Sequence, residues 1–190
     1  MVENLLNYCS KYIHLSVVDK ELIISNFKHL RIKRKDFLLR EGKVCDFVAF
    51  LSLGVIRHFH IKDGNERTCD ITLKNNFITD FKSLTQNIPS NYNFQILKDA
   101  ELFLIKRNDL FKLYSQSKNI ESIGRIMAEQ VAQRTIDMAM SLASDKPIER
   151  VEKLIKQSPD LFQIVPQRYF ENLLGISPKS LRRIKGRIKS

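Results

Sequence analysis

His58 and His60 stand two residues apart in an apolar run after Gly54, with Glu66 a short way beyond. Side chains two apart on a strand share a face, so two imidazoles and a carboxylate in this order have the makings of a chelate for a divalent metal. No histidine follows His60 to extend the set. The favoured reading puts both rings on the solvent face of a strand whose other face is Val55, Phe59 and Ile61. Cys9, Cys45 and Cys69 are odd in number and without C-x-x-C spacing, which points to reduced, partly buried thiols rather than a disulfide framework or a zinc site. Neither a nucleophile elbow, G-x-S-x-G, nor a phosphate loop, G-x-x-x-x-G-K-[ST], occurs, so no enzyme activity is expected.

The stronger signal is charge. Lys and Arg number 32 against 21 Asp and Glu, a formal net charge of +11. From Asp145 to Ser190 eleven basic residues face five acidic ones, a net +6, and after Pro178 no acid remains. A basic footprint so localised favours an anionic polymer over a small acidic substrate. No run of 18 apolar residues and no secretory signal order is present, so the chain is expected to stay in the cytoplasm.

These residues must be held by elements that change character along the chain. The first segment reads as helical through Leu5, Leu6 and Ile13, and again after an N-cap at Ser16 through Leu22, Ile23 and Phe27. From Leu30 to about Ile105, short apolar runs are broken by Glu41-Gly42, Gly54, Asp63-Gly64 and Asn75-Asn76, the pattern of a β-sandwich or barrel. A short helix over 108–114 closes it. Residues 117–143 then carry no proline and place Ile120, Ile123, Met127, Val131, Met138 and Leu142 at helical steps, which predicts one long helix. Its stripe fits packing on the barrel or on a second copy, and Arg134 within it weakens the second choice. Pro147 opens a further helix to Gln157, and Ser158-Pro159 ends it.

The last basic stretch has internal structure. Phe170, Leu173 and Leu174 make one apolar helix face; Gly175 suits a left-handed stop; Ile176 packs in the turn. Ser177 is an N-cap and Pro178 a first-turn residue for a second helix whose Leu181, Ile184 and Ile188 face the first. That is a helix-turn-helix, whose second helix enters the major groove of DNA. Lys179, Ser180 and Arg183 are the base-reading candidates; Gln167, Arg168, Arg182, Lys185 and Arg187 suit phosphates, with Ser177 beside them at the helix start. No aromatics interleave the basic residues of 179–190, which disfavours single-stranded nucleic acid.

With these elements in order, the chain resembles the Crp/Fnr family of bacterial regulators, in the manner of the divergent members found in Bacteroidetes. The stretch from Leu38 to Phe81, LLREGKVCDFVAFLSLGVIRHFHIKDGNERTCDITLKNNFITDF, is similar to the family's β-roll. The resemblance implies an α+β chain: a cyclic-nucleotide-binding-like sensor of double-stranded β-helix or jelly-roll type over 1–116, a dimerisation helix over 117–143 and an all-α helix-turn-helix domain over 144–190. It further implies a homodimer on two half-sites of double-stranded DNA, with RNA polymerase as a second partner.

Two departures qualify what the resemblance implies. Where cyclic-AMP-binding members read Phe-x-Gly-Glu-Leu followed by Arg-Ser, this chain has Phe77, Thr79, Asp80 and Phe81, then Ser90 and Asn91, with no basic residue between Lys82 and Lys98. A buried cyclic phosphate needs a cation, so cyclic AMP is not expected and no cofactor is assigned. Asp80, Ser83, Ser90, Asn91 and Tyr92 are candidates to line a pocket for another effector, or merely to satisfy a turn. The family's β-hairpin wing would follow the second helix, and no residues for it follow Ser190, so a wingless reader is expected. Two alternatives stand beside the regulator. One is a cupin-like metal barrel using His58, His60 and Glu66, whose spacing departs from the cupin pattern; the other is a ligand-sensing interaction module without DNA binding.

Overall fold

The structure, a computed structural model, describes residues 2–157 and 161–189, the side chains of 157, 185 and 187–189 excepted. Two helices lead: α1 (Glu3–Ser10) and α2 (Val17–Asn26). Ser16 and Asp19 form a reciprocal capping box at the start of α2, each side chain bonded to the other's backbone N–H. The roll follows as β1 (Lys28–Ile32), β2 (Phe37–Leu39), β3 (Phe47–Lys62), β4 (Asn65–Leu73), β5 (Asn76–Ile78), the short α3 (Phe81–Gln86) and β6 (Asn93–Lys106). After it come α4 (Arg107–Gln116), α5 (Lys118–Ser144), α6 (Pro147–Gln157), α7 (Leu161–Ile164), α8 (Gln167–Leu174) and α9 (Pro178–Lys189).

All described strand pairs are antiparallel, in the order β1-β6-β3-β4, with β2 also on β6 and β5 also on β3. Gly54, expected to end a strand, instead lies inside the 16-residue β3. Its φ is +111°, and a Cβ there would come within 2.8 Å of the Ala100 Cα, so only glycine lets β3 and β6 cross this closely. The β3/β6 register shifts around it, between Leu51 and Ile56. The bend lets one strand pair with β5 through Ala49–Leu51 and with β4 through Val55–Lys62. The apolar runs Phe94–Leu97 and Leu102–Ile105 likewise belong to one strand, β6.

Three apolar clusters hold the chain. One fills the roll, with Leu51, Ile56, Phe94, Ile96 and Leu102 at its centre. A second joins the leading helices to the outside of the roll through Leu5, Ile23, Phe50, Leu113, Ile123 and Met127. The third builds the C-terminal helices around Val151, Phe170, Leu174 and Leu181 and takes in Val55 and Ile71 from the roll, so sheet and helix-turn-helix share one buried contact. Ser117 caps α5, accepting from the N–H of Ile120. The α5 stripe is divided: Ile120, Ile123 and Met127 are buried against the chain's own roll, whereas Leu142 is exposed; Ile136 and Met140, outside the stripe, are more than half exposed. Among the described residues no helix is long and apolar enough to cross a membrane.

Candidate nucleic-acid interface and sensor cavity

The helix-turn-helix is built where the sequence pattern puts it. Gly175 ends α8 in the left-handed conformation, φ 60° and ψ 41°, and the N–H of Ile176 reaches back to the Glu171 carbonyl at 3.0 Å. Ser177 accepts from the N–H of Ser180 at 3.2 Å and donates to its hydroxyl at 3.0 Å, which starts α9 at Pro178. Leu181 and Ile184 are buried against α8 and α6. Lys179, Arg182 and Arg183 are exposed on the other face, with no ion pair among the described residues; Ser180 is half-buried. The side chains of Lys185, Arg187 and Ile188 lie outside the described residues.

At the start of α8, Gln167 is half-buried and Arg168 exposed, with an Arg168 Nη2 donating to Tyr169 Oη at 2.9 Å. Sequence reasoning missed the two arginines that fasten this unit. Arg150 Nε donates to the Leu174 carbonyl at 2.7 Å and Nη1 to the Asp145 carbonyl at 2.6 Å, closing the C-terminal ends of α8 and α5 at once. Arg57 on β3 is 1% exposed; it donates to Thr68 Oγ1 at 2.8 Å and Glu66 Oε2 at 2.6 Å and lies 3.8 Å from the Tyr169 ring centroid. Beside it the Thr68 N–H donates to Asn172 Oδ1 at 3.2 Å. The β3–β4 hairpin thus grips α8.

Glu66 is therefore committed to Arg57, while His58 and His60 turn to the opposite face of β3, and the chelate of two imidazoles with Glu66 does not assemble. Nor does His58 face open solvent, and His60 is half-buried. His58 Nε2 lies 2.7 Å from Thr72 Oγ1 and its ring 4.4 Å from Phe94, and burial pushes its pKa down, which keeps the ring neutral near pH 7. Ile61, expected on the buried side, is instead 53% exposed. Among the described residues no group of three His, Cys, Asp or Glu side chains suits a metal ion.

His58 and His60 line a cavity of about 1220 Å³ between the roll, α5 and the α8–α9 turn. Asp80 and Tyr92 line it too, the latter edge-on to His60 at 6.3 Å. Ser83 and Ser90 do not: Ser83 Oγ accepts from the Cys45 N–H at 2.8 Å and donates to the Ile88 carbonyl at 2.6 Å, and Ser90 Oγ donates to Asp80 Oδ2 at 2.7 Å. Both are buried, with their hydroxyls spent on the turn. Asp80 also caps α3 through the N–H groups of Lys82 and Ser83. Asn91 is exposed. At the far wall Arg134 Nη2 holds Asp70 at 2.6 Å, and Glu171 and Asn172 complete the rim. Arg134 thus faces its own roll, not a helix seam.

An antiparallel roll, a long helix and a C-terminal helix-turn-helix make an α+β fold, the fold of solved Crp/Fnr-type regulators with a cyclic-nucleotide-binding domain. Among solved structures, the chain is similar to FixK2 from Bradyrhizobium japonicum, with 14% identity, 86% of this chain and 84% of that one covered and a TM-score of 0.71. It is also similar to the c-di-GMP-responsive global regulator CLP of Xanthomonas campestris, with 15% identity, 89% of each chain covered and a TM-score of 0.65. The catabolite activator protein of Thermus thermophilus aligns at 17% identity over 94% of this chain and 85% of its own, with a TM-score of 0.56. No protein-family profile and no curated protein matches the sequence.

Proposed function

We propose that the protein is a sequence-specific DNA-binding transcriptional regulator of Crp/Fnr type, a cytoplasmic non-enzyme that works as a homodimer on promoter DNA, with RNA polymerase as the machinery it acts on. The observation that carries the reading is α9: its apolar side is buried and its exposed side offers Lys179, Arg182 and Arg183 without competing acids. Arg183 and Lys179 donate to guanine edges, and Arg182 with Arg168 holds phosphates. The exposed Ile136 and Met140 on the second half of α5 supply the dimer seam. Fluorescence anisotropy on duplexes enriched from a random pool tests the reading; affinity that stays flat with salt overturns it.

The effector of the large cavity is a molecule other than cyclic AMP. Ser90 stands where that ligand's arginine would be and its hydroxyl is already bonded to Asp80. The cavity wall contains α5 and α8 residues together, so an occupant touches the long helix and the reading head at once, which supports direct coupling between them. Equal operator affinity with and without the effector removes this part of the reading.

A further inference from the structure

A second cavity, of about 450 Å³, shares the Asp70–Arg134 ion pair with the first and is lined by the leading helices, the roll, α3, α4 and α5. Its walls are apolar for most of their length: Phe77, Leu84, Leu110, Ile123 and Met127 face into it. Along α5 its lining runs from Ile120 to Thr135, about 22 Å at 1.5 Å per residue, so it is long for its volume. Leu5, Ile23 and Leu110 of α1, α2 and α4 line it, and Arg134, at the C-terminal part of its α5 wall, lines it with Asp70 and His58. Arg134 uses Nη2 for Asp70 and has no other described hydrogen bond or ion pair, so the rest of its guanidinium fork is available to a second carboxylate.

We infer that this cavity is a binding site for a medium- to long-chain aliphatic carboxylate, its chain lying along α5 and its head group on Arg134. The site is separate from the large effector cavity, with which it shares the ion-paired end, and binding there does not depend on the protein's reading DNA. The lining also includes Glu121 and Arg125, the latter paired with Glu129, so Arg134 is the lining cation that lies beside the apolar stretch with donors to spare. A long, mostly apolar cavity with that cation discriminates by chain length and by head-group charge; a flat or compact ligand leaves most of its length unused.

Isothermal titration of the full chain with octanoate, decanoate and dodecanoate, below their micelle-forming concentrations, and with decanol tests the assignment. Affinity is expected to rise about fifteenfold for each added pair of methylenes, from roughly 0.8 kcal/mol per buried CH₂. Decanoate is expected to bind at least about tenfold more tightly than decanol, and Arg134→Gln to erase that preference. Ala128→Phe, which directs a ring into the channel, is expected to abolish binding of all four. Should that variant fail to fold, the half-exposed Arg134→Gln variant and the chain-length series still decide the matter. Affinity flat with chain length, or acid and alcohol bound alike by the native chain, overturns the inference. DNA binding measured on the same preparation separates this failure from any failure of the regulator reading.

Discussion

The guanidinium of Arg57 lies 3.8 Å from the ring centroid of Tyr169, across 112 positions of sequence and across the boundary between roll and helix-turn-helix. Arg57 is also 4.2 Å from Phe59 and hydrogen-bonded to Thr68 and Glu66, so the strand clamps α8 through a single buried cation. Arg57→Ala is expected to cost about 2–3 kcal/mol, chiefly lost packing and stacking, because Glu66 is half exposed and regains water. Urea denaturation reads the loss. A double-mutant cycle with Tyr169→Leu is expected to return a coupling of about 1 kcal/mol; additive effects contradict the clamp.

Arg150 predicts a more local effect. Its bonds to the Leu174 and Asp145 carbonyls satisfy helix-end acceptors that no other described side chain reaches. Arg150→Ala is expected to lose about 1–3 kcal/mol and to speed hydrogen exchange first in α8 and the α8–α9 turn. Unchanged protection of the Gly175 and Ile176 amides contradicts the assignment.

Asp19 predicts a pH dependence. Burial acts to raise its pKa, but hydrogen bonds from Ser117, Asn119 and Ser16 outweigh it and hold the carboxyl at about 2. A folded pKa below the unfolded value of about 3.9 means the stabilisation, about 2 kcal/mol, is present above pH 4 and is lost as pH falls towards 2. Asp19→Asn is expected to be less stable than the native chain at pH 6 and to converge with it near pH 2. A gap that does not close contradicts the role.

How much of this was legible in the sequence follows the range of the interactions involved. Ser16, Pro147, Gly175 and Ser177 act within one helical turn, so their residue types announce the helix ends where the structure has them. Gly54 misled because its need for positive φ comes from Ala100, nearly fifty residues away, and a strand crossing has no local signature. Arg57 and Arg150 had no local signature, since their partners come from other elements. For Arg57 the faint signal is Glu66 and Thr68 lying across the hairpin from it. Ser83 and Ser90 were ambiguous because a hydroxyl that lines a pocket and one that closes a turn are the same residue type. His58 was placed on the wrong side of the solvent boundary because alternation assigns faces but not which face is covered.

Within α9, the substitutions should separate reading from holding. Arg183→Ala is expected to cost about 1–3 kcal/mol and to relax base preference at one position of the site. Arg182→Ala and Arg168→Ala are expected to weaken all sequences alike and to lower the salt slope by about one each. Competition binding with single-base variants of a selected site distinguishes them.

In-vitro selection from random duplexes followed by salt titration of the winner measures most directly whether α9 reads duplex DNA. The expected result is enrichment of a two-half-site sequence, centres about one helical turn apart, whose binding constant falls steeply with salt and is lost in Arg183→Ala. No enrichment over the starting pool, or an affinity indifferent to salt and to Arg183, contradicts it.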